Sequence, residues 1–172
     1  MPSPLHPALV HFPIVLILLG TFVALPAVFT PRGHLRWIAA ILLALGAAGT
    51  GAALATGEED GEAVEHVAGV DAVLDLHEQW ADRTLAFSIV AGVCALAAAG
   101  ATLHWPRVAR GAGLASLVVA VAATFSVVQT GHYGGQLVYR HGAGVNLAPA
   151  TADGTAKSTV PARAQRRDDD DN

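Results

Sequence analysis

Four apolar segments of membrane length dominate this chain of 172 residues. They cover roughly residues 9–29, 35–56, 84–105 and 108–130, and each is nearly free of charged side chains. A helix of about 20 residues crosses the hydrocarbon core of a bilayer, so each segment is long enough to span it. Backbone polar groups in lipid must find their partners within the segment, which favours helices. We therefore predict an all-α fold, a four-helix transmembrane bundle.

Composition predicts one membrane domain followed by a polar tail. Hydrophobic residues make up 53% of the chain and charged residues only 14%, and the length fits a single domain. We assign residues 1–145 to the membrane domain and predict that residues 146–172 are disordered, because they are mostly small, polar or charged. The first apolar segment follows no basic region and precedes no A-x-A site, so we expect it to stay in the mature protein.

The same residue counts exclude several classes of site. Cys94 is the single cysteine, which excludes an intrachain disulfide and a multi-thiolate zinc site. One Met and one Cys also disfavour a soft copper(I) carrier. The chain has no recognisable nucleophile motif, catalytic triad or phosphate loop. We expect a protein without enzymatic activity that binds the lipid bilayer and no nucleic acid.

Charge segregation between the loops predicts the orientation. The short first and third loops carry Arg32, Arg36, Arg107 and Arg110, whereas residues 58–83 carry nine Asp or Glu against one Arg. Short basic loops stay cytoplasmic. Both termini and the acidic loop should therefore lie on the outer, periplasmic side of a bacterial inner membrane.

Helical periodicity extends beyond the apolar segments. The spacing of His77, Thr84 and Ser88 places them on one face of a helix predicted from Ala72 through His104. Polar residues from Gln129 to Tyr139 also keep helical spacing, so the fourth helix continues to Arg140, or alternatively ends in a C-cap at Gly131. Pro13 predicts a short turn through residues 6–11 before a main first helix from Phe12.

An even number of spans brings histidines from both ends of the chain to one face of the membrane. Counted from the cytoplasmic turns, His11, His132 and His77 lie at heights of about 33, 38 and 45 Å. They are within about two helical turns of one another, and bundle interiors are where facing helices place metal and haem ligands. We take these three histidines as candidate ligands, with His6 and His141 as weaker candidates.

The chemistry of this histidine set leaves haem b and a transition-metal ion both open. Neutral imidazole suits iron, copper and zinc, and Glu78 adds a carboxylate beside His77. Three glycines beside His132 would let a flat macrocycle lie against the backbone: Gly131, Gly134 and Gly135. The competing interpretation is that the histidines are ordinary interfacial residues and the glycines serve helix packing or turns.

Four short motifs carry a family resemblance. They are His6 to Pro13 (HPALVHFP), Thr56-Gly57, His77-Glu78, and Gly131 to Gly142 (GHYGGQLVYRHG). Over Leu5 to about Val145 the chain resembles a family of small bacterial four-helix membrane proteins that is defined only as a domain of unknown function. Relatives joined to c-type cytochrome domains imply a redox setting.

We therefore hypothesise a haem- or metal-binding membrane protein in electron transport. The alternative is a non-catalytic accessory subunit of a larger respiratory or photosynthetic complex. The expected partner is such a membrane redox complex or a cytochrome. A proton or ion pathway is disfavoured, because no span carries an acidic residue at mid-membrane.

Overall fold

The computed structural model describes residues 5–30, 33–62 and 69–143, and the predicted disordered tail lies outside them. The five helices in these ranges are α1 (Leu5–Leu9), α2 (His11–Phe29), α3 (Gly33–Glu62), α4 (Asp71–Gly100) and α5 (Pro106–His141). No strand occurs in these ranges. Four helices are long and apolar enough to cross a membrane, with α1 leading into the first of them. The all-α fold with four candidate spans confirms the sequence prediction.

The prolines near the N-terminus explain why α1 is separate from α2. Pro13 has no N–H to donate four residues back, so the helical ladder is interrupted there. Val10 lies between the two helices in helical geometry, and its N–H donates to the His6 carbonyl at 3.0 Å. α1 therefore nearly continues α2, and His6 is held at one end of the bundle.

The bundle core consists mainly of alanine and glycine. α2 packs against α3, α3 against α4, α4 against α5, and α5 against α2. Small side chains allow membrane helices to approach closely, and a methyl group added at Gly20 would lie 2.8 Å from Cγ of the fully buried Leu43. The central cluster consists of Ala40, Leu43, Ala91, Ala95, Ala99 and Ala120. Large apolar residues such as Phe22, Val118 and Phe125 are exposed and form the surface for lipid.

The last two helices are longer than the membrane is thick. With 30 and 36 residues, α4 and α5 reach about 45 and 54 Å at 1.5 Å per residue. α5 passes through Gly131 and is capped at Gly142, whose φ of 65° is the left-handed conformation that glycine adopts readily. Of the two predicted ends for this helix, the longer one is correct. α4 ends at Gly100, before the predicted His104, ahead of the turn that leads to Pro106.

At the opposite end of the bundle, Arg36 ties three segments together. Its Nε donates to the Ala27 carbonyl oxygen at 3.3 Å, and its Nη1 donates to Oγ1 of Thr102 at 3.3 Å. The end of α2, the start of α3 and the α4–α5 turn are therefore joined on the side away from His6.

Candidate histidine-pair site

His6 packs against the C-terminal part of α3. Its Nδ1 lies 2.7 Å from the carbonyl oxygen of Ala53. One helical turn further on, a methyl group at Gly57 would lie 2.9 Å from Cε1 and 3.0 Å from Nδ1 of the His6 ring. A Cβ atom essentially never makes a carbon contact as short as 2.9 Å, so any larger residue at this position would force the imidazole to shift. The Nδ1–Cε1 edge of the ring therefore rests on the backbone of α3.

His77 is seated on α5 in the same way. Its Nδ1 lies 2.9 Å from the carbonyl oxygen of Thr130. A methyl group at Gly134, again one turn further on, would lie 3.1 Å from Cε1 and 3.3 Å from Nδ1 of the His77 ring. The imidazole thus rests on α5 through the same edge that His6 presents to α3.

These two hydrogen bonds determine where each imidazole keeps its lone pair. A carbonyl oxygen can only accept, so Nδ1 of both rings carries a hydrogen, and a neutral ring then has its unshared pair on Nε2. The two rings are neighbours, with centroids 6.3 Å apart and planes at 81°. Two imidazoles of defined tautomer therefore meet between the helical hairpins, each with its unshared pair on Nε2.

Further along α4 from His77, the predicted polar face of the helix lies toward the bundle interior. His77 is half-buried, while Thr84 and Ser88 are buried. The Oγ1 atoms of Thr84 and Thr130 lie 3.3 Å apart. The helical spacing of His77, Thr84 and Ser88 therefore identifies the inward face of this helix correctly.

Glu78 lies against α3 at the same level. Its Oε1 would be 3.5 Å from a methyl group at Gly61, and Cδ1 of Leu74 would be 4.0 Å from that group. Gly61 is buried. α3 and α4 therefore approach each other beside His77, with space for little more than one methyl group at Gly61.

The other predicted histidines have different surroundings. His11 and His132 are both exposed. The Gln136 amide donates to Nε2 of His132 at 2.8 Å, and Arg140 donates to Oε1 of Gln136 at 3.1 Å. Nε2 of His132, a nitrogen that could bind a metal, is therefore already hydrogen-bonded to a side chain of its own helix. It lies at the height expected from its residue count, but on the outer face of α5.

The predicted glycines also divide by helix face. Gly134 touches His77, whereas methyl groups at Gly131 and Gly135 would meet no atom within 4 Å. Within the described ranges, no group of three or more His, Cys, Asp or Glu side chains is placed to hold a metal ion. The predicted ligand set of His11, His77, His132 and Glu78 stays a prediction, and the imidazole that contacts His77 is His6.

From the sequence, His6 was a weaker candidate than His11, His77 and His132, and Gly57 had no predicted role. A signal for both was present, since His6 opens the HPALVHFP motif and Gly57 closes the Thr56-Gly57 motif. The structure joins all four motif segments in one place, because His6 rests against Gly57, His77 rests against Gly134, and the two imidazoles are neighbours.

Four lipid-facing helices with a pair of imidazoles at one end define an integral membrane four-helix bundle. The sequence profile of the family described as "Predicted membrane protein (DUF2231)" matches residues 2–147, and the chain belongs to this family. No curated protein and no solved structure matches the chain.

Proposed function

We propose that this membrane protein binds a transition metal, as haem iron or as a bare ion, between His6 and His77 in a redox setting. The observation that carries the proposal is the pair of Nδ1 hydrogen bonds to Ala53 and Thr130. Histidines that ligate metals almost always donate their other ring N–H to a carboxylate, backbone carbonyl or water, which orients the ring and fixes the tautomer. Both imidazoles have this support, from the Ala53 and Thr130 carbonyl groups respectively.

The separation of the rings is also suitable for a shared metal. A metal–nitrogen bond of about 2.0 Å plus the radius of the ring puts a metal roughly 3.2 Å from the imidazole centroid. Two imidazoles on opposite sides of one metal would therefore have centroids roughly 6.4 Å apart. The observed centroid separation of 6.3 Å is close to this value, which supports the proposal.

Optical and elemental analysis of the purified full-length protein tests the proposal. We expect either a Soret band or about one equivalent of a transition metal, and we expect His6→Ala and His77→Ala each to lose most of it. The matched controls are His34→Ala and His104→Ala, which remove exposed imidazoles at the other end of the bundle. Absence of both haem and metal from the wild-type protein refutes the proposal, and so does a loss caused equally by the control substitutions.

The proposal includes an orientation in the bacterial inner membrane with both termini and the histidine pair on the periplasmic side. Its support is the basic content of the two short loops. Tyr139 on α5 and Leu103 in the α4–α5 turn are 90% and 86% exposed at opposite ends. In a Cys94→Ala background, we expect a membrane-impermeant maleimide to label Tyr139→Cys but not Leu103→Cys in spheroplasts. The reverse pattern would overturn the orientation.

A periplasmic redox metal requires an electron-transfer partner, and we propose a cytochrome or a larger membrane redox complex for this role. Gentle detergent extraction followed by native gel electrophoresis should show co-migration with a haem-staining partner. Migration as a single species without such a partner would contradict this part of the proposal.

A further inference from the structure

The first and third membrane helices share one pattern of burial at a constant shift of 71 residues. All six buried residues of α2 have a buried counterpart on α4. The α2 residues are Pro13, Ile17, Gly20, Ala24, Ala27 and Val28, and the α4 residues in the same order are Thr84, Ser88, Ala91, Ala95, Ala98 and Ala99. Few of these pairs are identical in residue type, so the correspondence lies in helix phase and packing.

The second and fourth membrane helices correspond at a shift of 77 residues. Four of the seven described buried positions on α3 map onto buried positions on α5. The pairs are Ala39 with Ser116, Leu43 with Ala120, Gly46 with Ala123, and Thr50 with Val127. The hairpin of α2 and α3 is therefore repeated by the hairpin of α4 and α5.

The two histidines and the residues that hold their rings are related by the same two shifts. The shift of 71 carries His6 onto His77, and the shift of 77 carries Ala53 onto Thr130 and Gly57 onto Gly134. Each hairpin thus holds an imidazole on its second long helix, with a carbonyl bonded to Nδ1 and a glycine one turn later against the Nδ1–Cε1 edge.

We infer that the bundle is an internal two-fold repeat, and that His6 and His77 are equivalent ligands of one bare transition-metal ion. This inference rests on the proposed function. Both hairpins begin at the same end of the bundle, so the pseudo-two-fold axis runs along the bundle and relates the two rings. An ion on this axis is bound equally from both sides.

The packing beside the pair favours a bare ion over haem. A macrocycle centred between the rings extends several ångströms from its iron in every direction in its plane. On one side, α3 and α4 already meet at this level through Gly61, Leu74 and Glu78. An ion needs no slot between the hairpins, and imidazole suits copper, zinc, iron and nickel, with Cu²⁺ bound most tightly in general.

Electron paramagnetic resonance of the purified full-length protein loaded with one equivalent of Cu²⁺ tests this inference. We expect hyperfine coupling to two equivalent imidazole nitrogens in the wild-type protein. His6→Ala and His77→Ala should each reduce the coupling to one nitrogen and weaken Cu²⁺ affinity by similar factors. The matched control is His132→Ala, which removes an exposed imidazole and should change neither quantity.

If either histidine variant fails to fold, Gly57→Ala and Gly134→Ala provide the same comparison with both imidazoles retained. Each should lower Cu²⁺ affinity by about 10- to 100-fold, as loss of an outer-shell partner does.

The alternative outcomes separate this inference from the proposed function. A loss with His77→Ala but not with His6→Ala overturns the equivalence and leaves a metal site at His77. A haem Soret band that disappears in both variants overturns the bare ion while the proposed function stands. Cu²⁺ binding unchanged in the His6→Ala/His77→Ala double variant overturns both.

Discussion

Replacing Gly57 with alanine separates a ligand-supporting role of this residue from a role in helix packing. The added methyl group would lie 2.9 Å from Cε1 of His6, whereas ordinary contacts begin near 3.4 Å. The ring must therefore move by roughly half an ångström, which weakens the 2.7 Å hydrogen bond from Nδ1 to Ala53 and at most breaks it. The variant changes only the position of the His6 ring, because the imidazole itself is retained.

The expected effect on stability is small because two contributions oppose each other. Loss of the hydrogen bond costs about 0.5–1.5 kcal/mol. Alanine is favoured over glycine in a helix interior by about 0.8–1.0 kcal/mol. The free energy of unfolding should therefore change by less than about 1 kcal/mol, while metal affinity falls by about 10- to 100-fold through loss of ring orientation.

Gly51→Ala is the matched control on the same helix. Its methyl group would lie 3.9 Å from Cδ1 of Leu85, which is an ordinary contact. We expect a gain of up to about 1 kcal/mol in stability from helix propensity and unchanged metal affinity. Thermal unfolding in detergent and competitive Cu²⁺ titration measure the two quantities. Equal affinities for both variants would refute a seating role for Gly57.

Three further predictions concern packing and the exposed histidine. Gly20→Ala places a methyl group 2.8 Å from Cγ of buried Leu43 and should cost about 1–3 kcal/mol through overpacking; thermal unfolding checks this, and a variant as stable as wild type would contradict it. Ser88 and Ser126 are buried, and their hydroxyls have no hydrogen-bond partner in the described part of the chain, so Ser88→Ala should be neutral or stabilising. Ser116→Ala loses a 2.8 Å hydrogen bond to the Ala91 carbonyl and should cost about 1 kcal/mol. A lower unfolding temperature for Ser88→Ala than for Ser116→Ala would refute this reasoning. His132→Ala removes an exposed contact to Gln136 and should change stability by at most about 0.5 kcal/mol. A larger change, measured by thermal unfolding, would contradict the exposed position of this side chain.

The elements of this fold could be predicted because their signals are local. Long apolar segments identify four spans, and the spacing of His77, Thr84 and Ser88 identifies the inward face of α4. The two possible ends of α5 were not separable from sequence, because Gly131 and Gly142 are both suitable for a C-cap. Packing of the extended helix against α4 decided between them.

The partner of His77 could not be predicted in the same way. Residue counts put His132 at the right height, but each residue turns a helix by about 100°, so height does not determine which face a side chain occupies. His132 lies outward, whereas Gly134, two residues later, touches His77. His6 reaches the site only because α1 is held against α3, which is a non-local contact.

The internal repeat was hidden for a related reason. Core positions in this bundle require small side chains of the right helix phase, and several residue types meet that requirement. Pairs such as Ile17 with Ser88 and Leu43 with Ala120 differ in size and polarity, so the two hairpins share few identities. Comparison of burial patterns reveals the correspondence that residue identity conceals.

Nitrogen-15 NMR of histidine-labelled protein tests the central claim most directly, because it reports the protonation of each ring nitrogen. In the metal-free protein, we predict that Nδ1 of His6 and His77 carries the proton. On addition of one equivalent of Zn²⁺, the Nε2 resonances of both residues should shift together, while Nδ1 of each keeps its proton and His132 is unaffected. Protons on Nε2 in the metal-free protein, or a Zn²⁺ response confined to His132 or to one member of the pair, would contradict the account.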